Sequence, residues 1–476
     1  MSQNEPDSQS IDISLFPEIM PEDYLDKELA SDEIWWPPRT DQKVRGRLAY
    51  KDTINLSLFS AVDTTDEPVI FGNSNKFGRC TIFEAYSKEN DNHSLPAPSS
   101  RFQATYAILG VHCESREEPI FNNISFHFPE LCYFLEHDAF STERHPDGKS
   151  TTTYTPQQSF RTSILDDSCT VYIGSGMSEL GGGMESLTLI HRPSISFYFK
   201  SPESFNGILS LSDKVIRLFT LLLGKRTYLT EFNYACPDPM MSEQILQRRS
   251  RPPKPEWCFP IALLNRIKAY WPNLLEKWLG NEDIHTTALL LHHGMSDEGF
   301  LEDRFLSLAQ ALETYCRLNQ PDNQYMDEDS YQKIQQKLLN SLPEATPRSF
   351  RQSFTHKLKF ANQFGLKKRI KLELDGLDDK TVRLFCLDKS KFADKVVATR
   401  NWLVHQGERE PSQTFSNHEL FPAAMSLQTL MLMLIYKWLG CPEHEVRQWL
   451  MDSDQLNKFN LVHHELRKGK IVSPIA

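Results

Sequence analysis

The sequence has no C-x-x-C pair. Its nine cysteines are scattered, the nearest two lying 19 residues apart. Zinc ribbons, zinc knuckles and thioredoxin-type redox motifs therefore find no support. An odd, unpatterned set reads as reduced, mostly buried thiols in a cytoplasmic protein. The chain also lacks any apolar run of about 18 residues free of polar side chains, and its mean hydropathy is −0.46. No membrane span or membrane partner is expected. The N-terminus has neither a basic first region nor a long apolar one, which argues against a secretory signal. No fixed-period repeat is visible. Neither a phosphate-binding glycine loop nor a nucleophile elbow can be written through Gly174–Gly176 or Gly181–Gly183, so the latter reads as a flexible loop or hairpin. Positive charge is also short: 52 Lys and Arg face 63 Asp and Glu, a net −11. Taken whole, that balance argues against a nucleic-acid binder.

The charge is unevenly spread. Residues 1–40 hold ten acids and two bases, so they carry −8 and the remaining 436 residues only −3. Residues 351–400 hold 13 bases and 6 acids, a local +7 that includes Lys367, Lys368 and Arg369. Those three are the candidate RNA-binding residues; solvated helix faces are the plainer reading.

At 476 residues the chain is long enough for two or three domains. Its 39% apolar and 11% aromatic content is enough to build cores. Residues 1–40 read as an acidic arm, with Ile34-Trp35-Trp36 able to dock its end. From residue 43 the hydrophobic period is two, in short runs rich in Phe, Tyr, Ile, Val and Thr. This predicts an antiparallel β-rich domain over 41–247, a sandwich or curved sheet, containing an apolar helix at 203–224 closed by Gly224. Arg248 to Pro255 holds three prolines and cannot continue a helix or ladder. It is the expected linker. From 256 to 476 the period is helical. Helices are expected at 258–279, 282–293, 297–319, 328–341, 346–362, 380–386, 390–405, 418–439, 442–452 and 454–467. The apolar run Leu427–Leu439 reads as the core helix of a bundle. The fold class is thus α+β: an N-terminal antiparallel β-rich domain, then an all-α bundle.

One segment can carry chemistry: Arg400-Asn401-Trp402-Leu403-Val404-His405-Gln406-Gly407. Arg-x-x-x-x-His is weak by itself, since composition yields about one match. The chain has two, the other from Arg351 to His356. Positions i and i+5 lie roughly 140° apart on a helix, so Arg400 and His405 do not share a face, whereas Asn401 and His405 do. Asn401 can then orient the imidazole while the long Arg400 reaches round. Gly407 would end the helix just beyond, leaving His405 in its last turn. Glu313, beside Leu312 on the helix at 297–319, is the candidate helper acid, with an ordinary salt bridge as the plainer reading. Glu302 reads as a first-turn charge. His292-His293 with Asp297 and Glu298 reads by default as a solvated loop, not a metal site.

This motif, late in a helical bundle and before a long apolar helix, resembles the HEPN superfamily, in particular its ApeA-like anti-phage abortive-infection branch. The likeness is carried by Phe300 to Glu313, by Arg400-Asn401 to His405 with Gly407, and by Leu430 to Gly440. Lys43 to Leu48 and Val69 to Gly72 resemble the ApeA N-terminal domain more loosely. The likeness spans about 40–466. It implies an all-α HEPN bundle with metal-independent endoribonuclease activity and no cofactor. Arg400, His405, Asn401 and Glu313 would form the catalytic group. RNA, with tRNA a candidate, would be cleaved by its own 2′-OH to a 2′,3′-cyclic phosphate. Two copies would pair their motifs in a homodimer or tetramer. A phage-derived trigger, a protein among the candidates, would release the activity and arrest growth. The acidic arm is a candidate restraint. The alternative is a non-catalytic HEPN dimerisation or nucleotide-binding module regulated by the β domain. A β-domain carbohydrate or peptide binder is a weaker rival, because no aromatic cluster singles out such a site.

Overall fold

The computed structural model describes residues 33–38, 43–50, 53–60, 69–74, 78–88, 100–182, 187–235, 244–247, 258–296, 299–320, 324–386, 388–405 and 410–453. Residues 1–32 of the arm, the linker 248–255, Gly407 and the expected helix 454–467 lie outside the described residues.

The strands are β1 (Glu33–Trp36), β2 (Val44–Tyr50), β3 (Ile54–Leu58), β4 (Val69–Ser74), β5 (Gly78–Phe83), β6 (Tyr86–Lys88), β7 (Ser100–Ala104), β8 (Tyr106–Leu109), β9 (Pro119–His127), β10 (Phe140–Arg144), β11 (Ser150–Tyr154), β12 (Phe160–Ile164), β13 (Cys169–Gly182), β14 (Leu187–Ser204), β15 (Glu231–Asn233) and β16 (Gln244–Gln247). The helices are α1 (Leu131–Leu135), α2 (Phe205–Leu223), α3 (Leu264–Ile267), α4 (Trp271–Gly280), α5 (Ile284–Gly294), α6 (Leu301–Asn319), α7 (Glu328–Asn340), α8 (Arg348–Ala361), α9 (Leu366–Asp375), α10 (Asp379–Val382), α11 (Lys389–His405), α12 (Asn417–Trp438) and α13 (Glu443–Asp452).

The chain divides into two compact units. One comprises 1–125, 202–205 and 231–254; the other comprises 126–201, 206–230 and 255–476. This differs from the partition at 247 expected from the change of period. The reason is aromatic packing. Phe219 of α2 meets Phe128 at 4.6 Å and Phe134 of α1 at 5.2 Å, and Phe134 meets Trp271 of α4 at 5.8 Å. That cluster groups part of the β-rich sequence and α2 with the helical half.

In the first unit the strands run in the order β15-β16-β8-β5-β4-β1-β2-β3-β7-β6. All these pairings are antiparallel. Alternation puts Val44 and Leu48 of β2, and Ile54, Leu56 and Leu58 of β3, on one face. They share a core with Ile70, Ile82 and Phe102. The end of the arm is part of this sheet. Trp35 pairs with Val44 on one side and Gly72 on the other, and it is fully buried. A Cβ at residue 72 would lie 2.3 Å from the Trp35 ring, and one at residue 46 would lie 2.9 Å from it. Glycine at both positions makes the slot for the indole.

The second unit holds the antiparallel strands β12-β13-β14, the hairpin β10-β11 and the helices. Gly182 pairs with Leu187 as the last described pair of the long β13-β14 ladder, and Gly183 lies outside the described residues. The helix expected at 258–279 is split into α3 and α4, with Pro272 in the first turn of α4. Its ring and missing N–H suit a helix start and disfavour a helix running through it. The centre of the bundle is α12, which opens on a capping box between Ser416 and Glu419. By length and composition it could cross a membrane, yet most of its apolar window is buried against the other helices. Helix α6 packs on α5, α9, α11 and α12, and its Tyr315 hydroxyl donates to the Leu434 carbonyl of α12 at 3.2 Å. Every helix residue that could bear chemistry is set by this arrangement.

Candidate active site

Helix α6 turns Phe305, Leu308, Leu312 and Tyr315 into the core. Glu313 follows Leu312 and so sits at the edge of that buried stripe, 13% exposed at its side chain. Helix α11 buries Phe392, Val396 and Thr399 at helical spacing. Thr399 is fully buried, and its hydroxyl accepts the Phe415 N–H at 2.8 Å, which ties α11 to the segment entering α12. Arg400 follows Thr399 and emerges at the same edge.

There the two helices meet through charge. Arg400 Nη2 donates to Glu313 Oε2 at 3.2 Å. The other carboxylate oxygen accepts from Arg317 Nη2, one turn along α6, at 2.9 Å. Glu313 therefore holds two guanidiniums. Arg317 is a member of this group that the sequence reading passed over, although its i,i+4 spacing from Glu313 is legible. Asn401 Oδ1 accepts from Arg400 Nη1 at 3.1 Å. The expected hydrogen bond from Asn401 to His405 is absent among the described residues; Asn401 braces the arginine instead. His405 is the last residue of α11 and is exposed. Its ring has no hydrogen-bond partner among the described residues, so it is free to meet a ligand. The structure thus brings Glu313, Arg317, Arg400 and Asn401 together and sets His405 one turn beyond.

The structure gives each residue of the expected RNA-binding cluster, 367–369, a partner within the chain. Lys367 is ion-paired with Asp394. Lys368 stands 3.4 Å from the centre of the Phe364 ring and 4.3 Å from that of Tyr325. Arg369 is only 6% exposed. Its guanidinium donates to the carbonyls of Gln320 at 2.8 Å, Phe364 at 3.0 Å and Cys316 at 3.4 Å. It caps the C-terminal end of α6, where carbonyls lack helical partners, and cannot face a phosphate.

The second arginine–histidine pair, Arg351 and His356, lies on α8. Arg351 donates to the carbonyls of Leu342 and Pro343 at 3.1 and 2.6 Å, while His356 lies beside Phe360 at 5.5 Å between ring centres. No acid accompanies them. His292 is not in a solvated loop. It lies buried on α5, where its Nε2 accepts from Arg226 Nε at 2.9 Å, so its Nδ1–H faces Thr220 Oγ1 at 3.0 Å. Burial, and then the Arg226 charge, push its pKa down to about 3, so the ring is neutral. Asp297 and Glu298 lie outside the described residues. Among the described residues no three His, Cys, Asp or Glu side chains converge on a metal-sized site. None of the eight described cysteines forms a disulfide, all but Cys132 are buried, and burial pushes the Cys386 and Cys441 thiols up to about 12. Such thiols are poor nucleophiles.

Residues 34–278 match the model of ApeA N-terminal domain 1. Residues 306–445, which include Glu313, Arg400 and His405, match that of the Apea-like HEPN domain. The comparison with curated proteins finds no match. A solved structure of MrkH, a c-di-GMP-dependent transcription regulatory factor, is similar at 11% identity over 36% of this chain and 78% of its own, with a TM-score of 0.13. That score carries no argument. The two family matches together span the β-rich region and the helical bundle, and they show that the chain belongs to the ApeA-like family of defence-associated HEPN proteins.

Proposed function

We propose that the protein is a metal-independent endoribonuclease of the HEPN type. The observation that supports this reading is the Glu313–Arg400 ion pair, which fixes a guanidinium on α11, the helix that ends in the exposed His405, within the HEPN-matched segment. Cleavage of RNA by its own 2′-OH needs a base for that proton, an acid for the departing 5′-oxygen, and positive charge over the pentacovalent phosphorus. His405 carries the proton transfers. Arg400, always charged and forked, binds a non-bridging phosphate oxygen. Glu313 and Asn401 hold Arg400 in place and act as positioning residues. The 2′-oxygen forms the new bond to phosphorus as the bond to the 5′-oxygen breaks, leaving a 2′,3′-cyclic phosphate and a 5′-OH. Water is not consumed in this step.

One imidazole cannot serve as base and acid on opposite sides of the phosphorus. Two protomers therefore combine their His405 side chains, and the active species is an even-numbered homo-oligomer. RNA, tRNA among the candidates, is the substrate. A free nuclease would destroy its host's RNA, so the activity is held at a low basal level until an infection signal raises it and arrests growth. The test is His405→Ala and Arg400→Ala in the full chain. Loss of RNA cleavage with circular dichroism and oligomeric mass unchanged is expected. Unchanged cleavage in either variant would contradict the assignment of these residues, and no cleavage by the wild type would favour a non-catalytic HEPN module. Dilution gives a second check: the specific rate should fall once the oligomer dissociates.

A further inference from the structure

Helix α8, like α7, is mostly exposed. Among its residues only Leu358 is buried, where the Tyr331 hydroxyl of α7 donates to its carbonyl. From Arg348 to Ala361 the sequence has no Asp or Glu, but it has Arg348, Arg351, His356, Lys357 and Lys359. Arg348, Arg351, Gln352, Thr355, His356 and Lys359 follow the i, i+3, i+4, i+7 rule and so lie on one face. That face lines a groove of about 340 Å³ with no carboxylate in its wall. None of the four permanent cations makes an ion pair with a described residue; Arg351 donates only to two carbonyls. Phe360, 54% exposed, continues the row beyond His356.

We infer that this face of α8 is the binding surface for the RNA strand, a reading that rests on the ribonuclease function proposed above. Unpaired cations in a row attract phosphates, and an exposed aromatic ring beside them stacks on an unpaired base. The row from Arg348 to Lys359 is about 17 Å long, roughly five nucleotides at about 3.4 Å each. The hairpin of α7 and α8 follows directly from the C-terminal end of α6, the helix that bears Glu313. A second copy of the chain does not suit the surface, because a twofold contact would set this cationic face against itself.

The test uses wild-type protein and a labelled single-stranded RNA carrying 2′-O-methyl groups, which lacks the attacking hydroxyl. Affinity is read by anisotropy from 50 to 200 mM salt. Arg348→Ala with Lys359→Ala removes two exposed, unpaired cations. Lys333→Ala with Lys337→Ala on α7 is the control with equal charge loss. Losing two phosphate contacts lowers the single-strand salt slope by about 1.4, so the affinity ratio between the two salts shrinks about sevenfold. The control should keep the wild-type slope. An unchanged slope in the α8 variant, an equal loss in the control, or a change of oligomeric mass without a change in RNA affinity would each overturn the inference. If α8-dependent binding holds but natural RNA is never cut, the ribonuclease reading fails alone. If natural RNA is cut and the α8 variant binds and cuts as the wild type does, the surface fails alone.

Discussion

Glu313→Gln keeps the side chain's shape and removes its charge, which isolates the claim that this carboxylate positions Arg400. At 3.2 Å two unit charges attract by about 5 kcal/mol at an effective dielectric near 20. Desolvation and side-chain ordering offset most of that, leaving about 1–3 kcal/mol for a charge-assisted bond at a partly buried site. The Arg400 side chain is 25% exposed, so little of this reaches global stability, and the melting temperature should move by only a few degrees at most. The effect belongs in the rate. A guanidinium released from its anchor must be reordered over the phosphorane, which slows cleavage about 10- to 100-fold. Single-turnover cleavage by Glu313→Gln, Arg400→Ala and the double variant reads it. Arg400→Ala should cost more than Glu313→Gln, and the double variant should be no slower than Arg400→Ala, because both act through one group. Wild-type rates in Glu313→Gln, or two losses that multiply, would refute the positioning role.

Stability should fall in mild acid. Burial lowers the pKa of His292 to about 3 and that of His285 to about 4. Both rings are neutral in the fold, while the unfolded chain protonates its histidines below about pH 6.5. Their contribution is therefore full above pH 6.5 and is lost as pH falls towards 4 and 3. At pH 5 each costs about 2 kcal/mol. Urea midpoints at pH 7.5 and 5.0 check this, and equal midpoints would refute it. Arg369→Ala strips a buried cap from three carbonyls and should lower stability by about 3 kcal/mol without weakening RNA binding by folded protein. Selective loss of RNA affinity at full stability would reinstate it as a ligand. Gly72→Val drives a branched side chain into the Trp35 ring and should destabilise the first unit by about 3 kcal/mol or more. Limited proteolysis reads that directly, and wild-type resistance would refute the slot.

Much of the helical half was legible. Phe305, Leu308, Leu312 and Tyr315 announce α6 by spacing alone, and Phe392, Val396 and Thr399 do the same for α11. Helix α9 was missed because Lys367, Lys368 and Arg369 drew attention to charge. Leu366, Ile370 and Leu374 carry the helical period through that charge. The intramolecular partners of the same triplet were not legible in the sequence. Arg369 caps carbonyls, Lys367 meets Asp394 and Lys368 sits over aromatic rings, contacts set by chain segments far apart in sequence. On α8, Arg348 and Lys359 make no ion pair with a described residue, and their single-face row was readable at the same spacing. At the candidate site, Arg400 and His405 stood out by motif, but the bond joining Arg400 to Glu313 spans 87 residues and had no local signal. The partition into units escaped for the same reason, since the Phe128, Phe134, Phe219 and Trp271 cluster is a tertiary fact.

The central claim is tested most directly by the chemistry of the cut ends. Purified protein is incubated with total RNA in EDTA, beside Arg400→Ala and His405→Ala, and the termini are mapped. The account predicts cleavage by the wild type alone, with 2′,3′-cyclic phosphate and 5′-OH ends. Products ending in 3′-OH, or cleavage that requires added Mg²⁺, would contradict it.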